Sequence, residues 1–363
     1  MPLKPSYLYG VVPADGRTNF GPIGLDGGEV RTVSDGGIGI VTSQADRILF
    51  SAISPEKTLR YLAQHQRVLE QVMLESSVIP LKFGTYADND GHILKILDCG
   101  RNQFAGALER YAGKVEVDLA VFWTDLKSVL AEIGRDENVV SMRARIGNQP
   151  EATTEQRVRL GQLVKKLLDE RRDALAAELV AALRSKCSGV VINPATEDVM
   201  ILSVAILAQR NDQGQLDQAI HELNLHHENR LDFRCVGPLP PYSFAMAEIK
   251  TIQASRLDAA RRLLELGESA SLAEIKGAYR RLLQEVHPDR NTEAWATDRL
   301  KDISAAYELL EEYALNFRHT LNAVPEAPVI VTVRSLDDLR ARTRVPTRRG
   351  QPGRRECVGA EAM

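Results

Sequence analysis

The chain has 363 residues, enough for two or three domains with cores of their own. Its 44% apolar and 26% charged residues, with a net charge of -3, are ordinary for a globular protein and give no global pull toward nucleic acid or a membrane surface. No run approaches the roughly 20 apolar residues of a spanning helix, the first residues carry no secretory leader, and Cys99, Cys187, Cys235 and Cys357 form no CxxC pair, which argues against a zinc site or a disulfide framework and fits a reducing cytoplasm.

Residues 7–12 are a short apolar run closed by Pro13 and Asp15-Gly16, so a strand is expected. The glycine-rich stretch GPIGLDGGEVRTVSDGGIGIVTS fits neither GxGxxG before a helix nor GxxxxGK followed by Ser or Thr, so it is not read as a phosphate loop. It reads instead as two strands, 29–33 and 38–42, with the turn at 34–37. Ser54-Pro55-Glu56 opens a helix with proline at its first position. The period Leu59, Leu62, Gln66, Leu69, Met73 carries that helix to about Leu74. Residues 78–83 read as a buried strand closed by Gly84, and a second amphipathic helix is expected over 92–111.

Further on, Val115, Val117, Leu119, Val121 and Trp123 alternate with Glu116, Asp118 and Ala120, the pattern of a half-buried strand. A short helix over 125–133 and a long one from Thr153 or Thr154 to about Lys186 follow, the latter with both charge signs on its exposed face. A hairpin of 189–192 and 200–207, a helix over 215–225 and a strand over 230–236 complete a β-α-β-β-α-β order, the ferredoxin-like pattern. His221, Glu222, His226 and His227 invite a metal reading. Their spacing is not HExxH, and adjacent histidines point to different faces of a regular element, so a polar helix end without metal is expected.

Two segments carry a family resemblance. Residues 65–86, HQRVLEQVMLESSVIPLKFGTY, contain the run Val78, Ile79, Pro80, Leu81, Lys82, Phe83, Gly84, Thr85, and the chain opens with YLYGVVP. Some 150 residues later, Gly237-Pro238 is followed by Pro240-Pro241-Tyr242-Ser243-Phe244. Together they resemble the GvpL/GvpF gas vesicle protein family over roughly residues 5–250. His65 and Lys82 tempt a catalytic reading, but spacing places no acid–base partner beside them, so His65 is expected on the helix surface and Lys82 at a domain edge. Tyr242 and Phe244 either pack on the sheet or form a partner groove, and packing is the commoner role for such aromatics. The prolines stop the strand and hold an extended segment.

The segment SLAEIKGAYRRLLQEVHPDRN, from Ser271, holds an amphipathic helix with Leu272, Ile275, Tyr279, Leu282, Leu283 and Val286 in one stripe. Ser271 and Glu274 read as a capping box, and Pro288 ends the helix. A second helix follows with Leu300, Ile303, Tyr307 and Leu310 on one face. The His287-Pro288-Asp289 tripeptide between two such helices resembles a DnaJ-type J domain over residues 257–313. The resemblance implies that His287, Pro288 and Asp289, with Lys276, Arg280 and Arg281 as a positive face, engage a DnaK-type ATPase chaperone. Glu285 and Val286 stand where that family usually has a basic and an aromatic residue, and Gly277 where a lysine is common, so the basic face is thin.

Beyond 319, residues 329–333 form an apolar run suited to joining a sheet edge. From Arg334 to Arg355 there are eight arginines among prolines and glycines, which reads as a disordered basic tail, a solvated one rather than a nucleic-acid arm.

The expected fold class is α+β: an N-terminal α+β domain over 1–112, a ferredoxin-like βαββαβ domain over 113–250, an all-α J-like hairpin over 254–318 and a disordered basic tail over 319–363. No catalytic residue, cofactor or metal is expected. The two resemblances imply a cytoplasmic gas vesicle assembly protein that binds a small apolar shell subunit and, through the J-like part, recruits a DnaK-type chaperone. Lys82, Phe83, Tyr242 and Phe244 are the candidates for shell-subunit contact. Two other readings are a minor structural or nucleation component of the shell with an inert J fold, and an enzyme using the His65 or His221 region.

Overall fold

The computed structural model describes residues 4–147, 154–252, 254–286, 294–316, 320–321 and 329–333. The expectations for His287, Pro288 and Asp289, and for the tail from Arg334, lie outside the described residues.

The first layer is an antiparallel sheet built on strand β1 (Ser6–Pro13). With β2 (Asn19–Gly21), β3 (Val30–Asp35), β4 (Ile38–Gln44), β5 (Ile79–Pro80) and β6 (Tyr86–Ala87), it forms six strands in the order β2-β3-β4-β1-β5, with β6 also beside β1. Gly36 and Gly37 both take positive φ, which a two-residue hairpin turn between β3 and β4 requires. Helices α1 (Pro55–Met73) and α2 (Asp90–Arg110) cover opposite faces of the sheet. Leu8 and Val11 pack with Ile93, Ile96 and Phe104 of α2, whereas Tyr7, Tyr9 and Val12 pack with Val68, Leu69 and Val72 of α1. Two-sided cover explains why β1 is a continuous apolar run rather than an alternating one.

Three local expectations change. The stripe of α1 was expected from Leu59 onward, but Leu59 and Leu62 are 65% and 41% exposed; only the C-terminal half of α1, with His65, Val68, Leu69, Val72 and Met73, packs on the sheet. His65 is therefore not on the helix surface. The strand expected over 78–83 is short, with only Ile79 and Pro80 paired in register with β1. Leu81 still donates its N–H to the Tyr9 carbonyl at 2.9 Å, and it also bridges Ala247.

The second layer is a four-stranded antiparallel sheet in the order β10-β7-β9-β8. Its strands are β7 (Lys114–Trp123), β8 (Gly189–Asn193), β9 (Met200–Gln209) and β10 (Leu231–Leu239). Between β7 and β8 lie α3 (Leu126–Ile133), α4 (Glu137–Gly147) and α5 (Thr154–Arg184), and α6 (Gln213–His226) joins β9 to β10, so the expected β-α-β-β-α-β order holds with one helix, α4, that the periodicity missed. Asp125 caps α3, accepting from the N–H groups of Lys127 and Ser128. The half-buried reading of β7 fails at Glu116, which is only 2% exposed.

The third unit is helical. Helices α7 (Ala254–Leu263), α8 (Leu272–Val286) and α9 (Ala294–Asn316) share a core of Leu257, Ile275, Leu282, Val286, Ile303 and Leu310. The capping box is formed: Glu274 accepts from the Ser271 N–H at 2.7 Å, and the Glu274 N–H donates to Ser271 Oγ at 3.3 Å. Short strands β12 (Ala270–Ser271) and β13 (Thr320–Leu321) pair antiparallel beside these helices.

The helical unit is held by strands at both ends of its sequence. Strand β11 (Ala247–Thr251) enters it, and β14 (Val329–Val333) returns from it to pair antiparallel with β11. The apolar run of 329–333 thus joins a sheet edge, and the expectation of a disordered tail from 319 is corrected at 320–321 and 329–333, which form strands because partner strands β12 and β11 supply their hydrogen bonds. Side chains alternate across a strand. Val329 and Val331 accordingly enter the core shared with α2, while Ile330 enters the helical core.

Candidate functional site

The two sequence hallmarks meet in space. The Lys82 N–H donates to the Ala247 carbonyl at 2.9 Å, and Lys82 Nζ pairs with Glu248 Oε1 at 2.7 Å across 166 residues of chain. Phe83 sits half-buried with its ring 4.4 Å from Phe50, and Phe50 stands edge-on to Tyr61. Tyr242 is half-buried at the rim of the same cluster. Phe244 is fully buried at 0% exposure, and Tyr111 Oη donates to its carbonyl at 2.9 Å. Of the two roles weighed for Phe244, the structure shows packing: a side chain without exposed surface makes no direct contact with a partner.

His65, 1% exposed, stands at the centre of this cluster. Burial pushes its imidazole down to about 4, so it is neutral near pH 7. The Gly84 N–H donates to Tyr7 Oη at 3.1 Å, which leaves the tyrosine proton free to donate to His65 Nδ1 at 2.9 Å. Burial also pushes the Tyr7 phenol above its ordinary value. The Tyr7 ring lies edge-to-face on Tyr9, Phe83 and Tyr86. Tyr7 therefore pins the KFGT turn to the sheet, with His65 accepting from its hydroxyl and lying edge-on to Phe83, and the geometry is that of a core histidine.

Sequence reasoning missed Glu116. The Ser243 N–H and Oγ–H both donate to its carboxylate at 2.7 Å. Burial, with Asp118 beside it, pushes Glu116 up to about 7. The alternation in β7 placed Glu116 on an open face, and no local signal reveals that the 240–245 segment closes over it.

In the helical unit, the three basic residues read as a positive face lie on α8. Lys276 Nζ is 3.2 Å from Glu311 Oε1, and Arg281 is 2.7 Å from Glu265 Oε2, while Arg280 is exposed. Tyr279 stacks on Tyr307 at 4.1 Å, and Tyr307 Oη donates to Glu311 at 2.6 Å. Lys250 Nζ pairs with Glu312 at 2.7 Å, tying β11 to α9. His287, Pro288 and Asp289 follow α8 outside the described residues.

The histidine cluster on α6 also departs from expectation. His226 ends the helix and His227 caps it, so the chain is already turning where the two rings lie, 5.1 Å apart. Both reach Glu178 of α5, and one ligand atom from each of the three residues falls within 4.8 Å of the others. His221 is exposed and belongs elsewhere on the helix. The expectation that His226 and His227 point apart is corrected: helix geometry no longer applies at a C-cap.

The fold and the meeting of the two hallmarks define an α+β protein of the gas vesicle type that carries a helical J unit. Residues 5–246 match the family model for gas vesicle synthesis protein GvpL/GvpF, and residues 262–314 match the DnaJ domain. The chain belongs to the GvpL/GvpF family. It is similar to gas vesicle protein F of Streptomyces sp. (strain CB03234), 26% identical over 247 residues, covering 66% of this chain and 98% of that one. The crystal structure of GvpF from Anabaena sp. PCC7120 shares the fold, with a TM-score of 0.58 and 23% identity over 66% of this chain and 97% of that chain. The chaperone protein DnaJ of Rippkaea orientalis is 53% identical over 49 residues, 14% of this chain and 13% of that protein.

Proposed function

We propose that this protein is a gas vesicle assembly factor that binds the small apolar shell subunit and presents it to a DnaK-type chaperone recruited by its J unit. The observation that carries this reading is the β11–β14 pair, which fastens the J unit to the gas vesicle fold so that client and chaperone would meet at a fixed spacing. Lys82, Phe83 and Tyr242 are the proposed client contacts, with Phe244 holding the segment beneath them. Apolar subunits with free strand edges aggregate unless covered, which supplies the physical need. The reading assigns no reaction to the chain itself, and it places the protein in the cytoplasm with gas vesicles. No helix among the described residues is long and apolar enough to cross a membrane.

The test is ATP turnover by a DnaK-type chaperone with and without the full chain and purified shell subunit. Stimulation by the wild type, lost in His287→Gln while shell-subunit capture persists, supports the reading. Turnover unchanged by the wild type sinks it.

A second reading is favoured by the ion pairs of Lys276 and Arg281, which occupy two of the three basic side chains within the fold. In it the J unit is inert and the protein is a minor shell component. Retention on purified vesicles through a detergent wash, with no effect of His287→Gln on vesicle yield, is its signature.

A further inference from the structure

We propose that Glu178, His226 and His227 form a binding site for a divalent transition metal ion of the zinc, cobalt or nickel type. The site rests on neither reading of the gas vesicle role. Two imidazoles and a carboxylate are a ligand set that zinc accepts with a position left open. Two ligands of a tetrahedral zinc, each at 2.0–2.1 Å, stand about 3.3 Å apart. His227 Nε2 and Glu178 Oε1 are 3.3 Å apart, and His226 Nε2 is 3.9 Å from the same oxygen, within a small side-chain rotation of that spacing. His227 Nε2 is shielded from solvent and forms no hydrogen bond among the described residues, although the carboxylate oxygen is near. The two atoms are spaced like ligands but are not aligned as donor and acceptor.

Three further features suit a cation there. The histidines end α6, where the helix dipole presents its negative pole. A cavity of about 300 Å³, lined by Glu178, His227 and Trp123, adjoins the cluster and leaves room for a water as fourth ligand. The Trp123 Nε1–H has no hydrogen-bond partner among the described residues and is a donor suited to such a metal-held water or hydroxide. Arg171 and Arg230 line the same cavity, and Glu132 pairs with both, which offsets their repulsion of a cation. Bound metal would staple α5 to the corner between α6 and β10.

The experiment titrates Zn(II) and Co(II) into the full chain after chelator treatment, read by calorimetry and by Co(II) visible absorption. The expected result is one ion per chain, tetrahedral Co(II) bands without a thiolate charge-transfer band, and a metal-dependent rise in melting temperature. His226→Ala and Glu178→Gln, both at exposed positions, should each weaken binding tenfold or more with unchanged circular dichroism. His221→Ala should bind as the wild type does. Absence of binding by the wild type, equal affinity in the His226 and Glu178 variants, or a thiolate band from a cysteine site would each overturn the proposal.

Discussion

Ser243 donates both its backbone N–H and its hydroxyl to the buried carboxylate of Glu116, each at 2.7 Å, and so fastens the PPYSF segment to the second sheet. The hydroxyl bond matters most when the carboxylate is charged. Ser243→Ala should therefore cost about 1.5–3 kcal/mol at pH 8 and clearly less at pH 5.5. Urea unfolding at the two pH values measures this, and an equal loss at both would show that Glu116 keeps one charge state throughout.

Glu116 and His65 predict opposite slopes of stability with pH. The folded Glu116 carboxyl holds its proton up to about 7, whereas the unfolded chain releases it near the ordinary glutamate value. Its contribution is full below about 4.5 and is lost as pH rises from there to about 7. The folded imidazole of His65 resists protonation until about 4, whereas the unfolded one charges near 6.5. Its contribution is full above 6.5 and is lost as pH falls toward 4, by at most about 3 kcal/mol. The two windows overlap between about pH 4 and 7 with opposite signs, so the melting temperature of the wild type should change little across them on account of this pair. Glu116→Gln should uncover the loss toward acid that His65 causes, and His65→Gln the loss toward pH 7 that Glu116 causes.

Contact and packing roles in the hallmark segments separate by mutation. Phe244→Ala should destabilise the fold by about 3–5 kcal/mol, the range for a buried phenylalanine. Phe83→Ala and Tyr242→Ala remove half-buried rings, and should lower capture of purified shell subunit several-fold with smaller losses in melting temperature. Capture that tracks melting temperature across all three variants would mean that no contact surface lies here.

The β14 strand should behave as a clasp. Ile330 is 1% exposed within the helical core, so Ile330→Ala should cost about 2–5 kcal/mol locally. Hydrogen exchange at the amides of Ala247–Thr251 should accelerate, because their partner strand loosens. Stimulation of the chaperone by the free J unit should persist while delivery of bound client falls. Unchanged exchange on β11 would show that β14 is not seated there in solution.

The ion pairs on α8 make a graded prediction for chaperone recruitment. Glu311→Gln removes the negative charge beside Lys276 and keeps an amide oxygen that can accept from Tyr307 Oη. Surface pairs contribute only about 0–1 kcal/mol, so stability should barely change. Freed Lys276 should raise stimulation of chaperone turnover at low salt, and the gain should fade as salt screens it. A J unit that remains silent in Glu311→Gln favours the inert reading.

Much of this protein is legible from local chemistry. Ser54 and Pro55 start α1, Ser271 and Glu274 close a capping box, and Gly36 and Gly37 turn a hairpin, because each is decided by backbone groups within a few residues. The same holds for the two hallmark runs and the J-type helices, which carry the family. The burial of His65 and of Glu116, the place of Phe244 and the meeting of Glu178 with His226 and His227 were decided only by tertiary structure. Periodicity says which residues share a face but not what covers that face. The cover here arrives from far along the chain: the 240–245 segment over β7, α5 beside the end of α6, and β14 returning after the helical unit to complete β11.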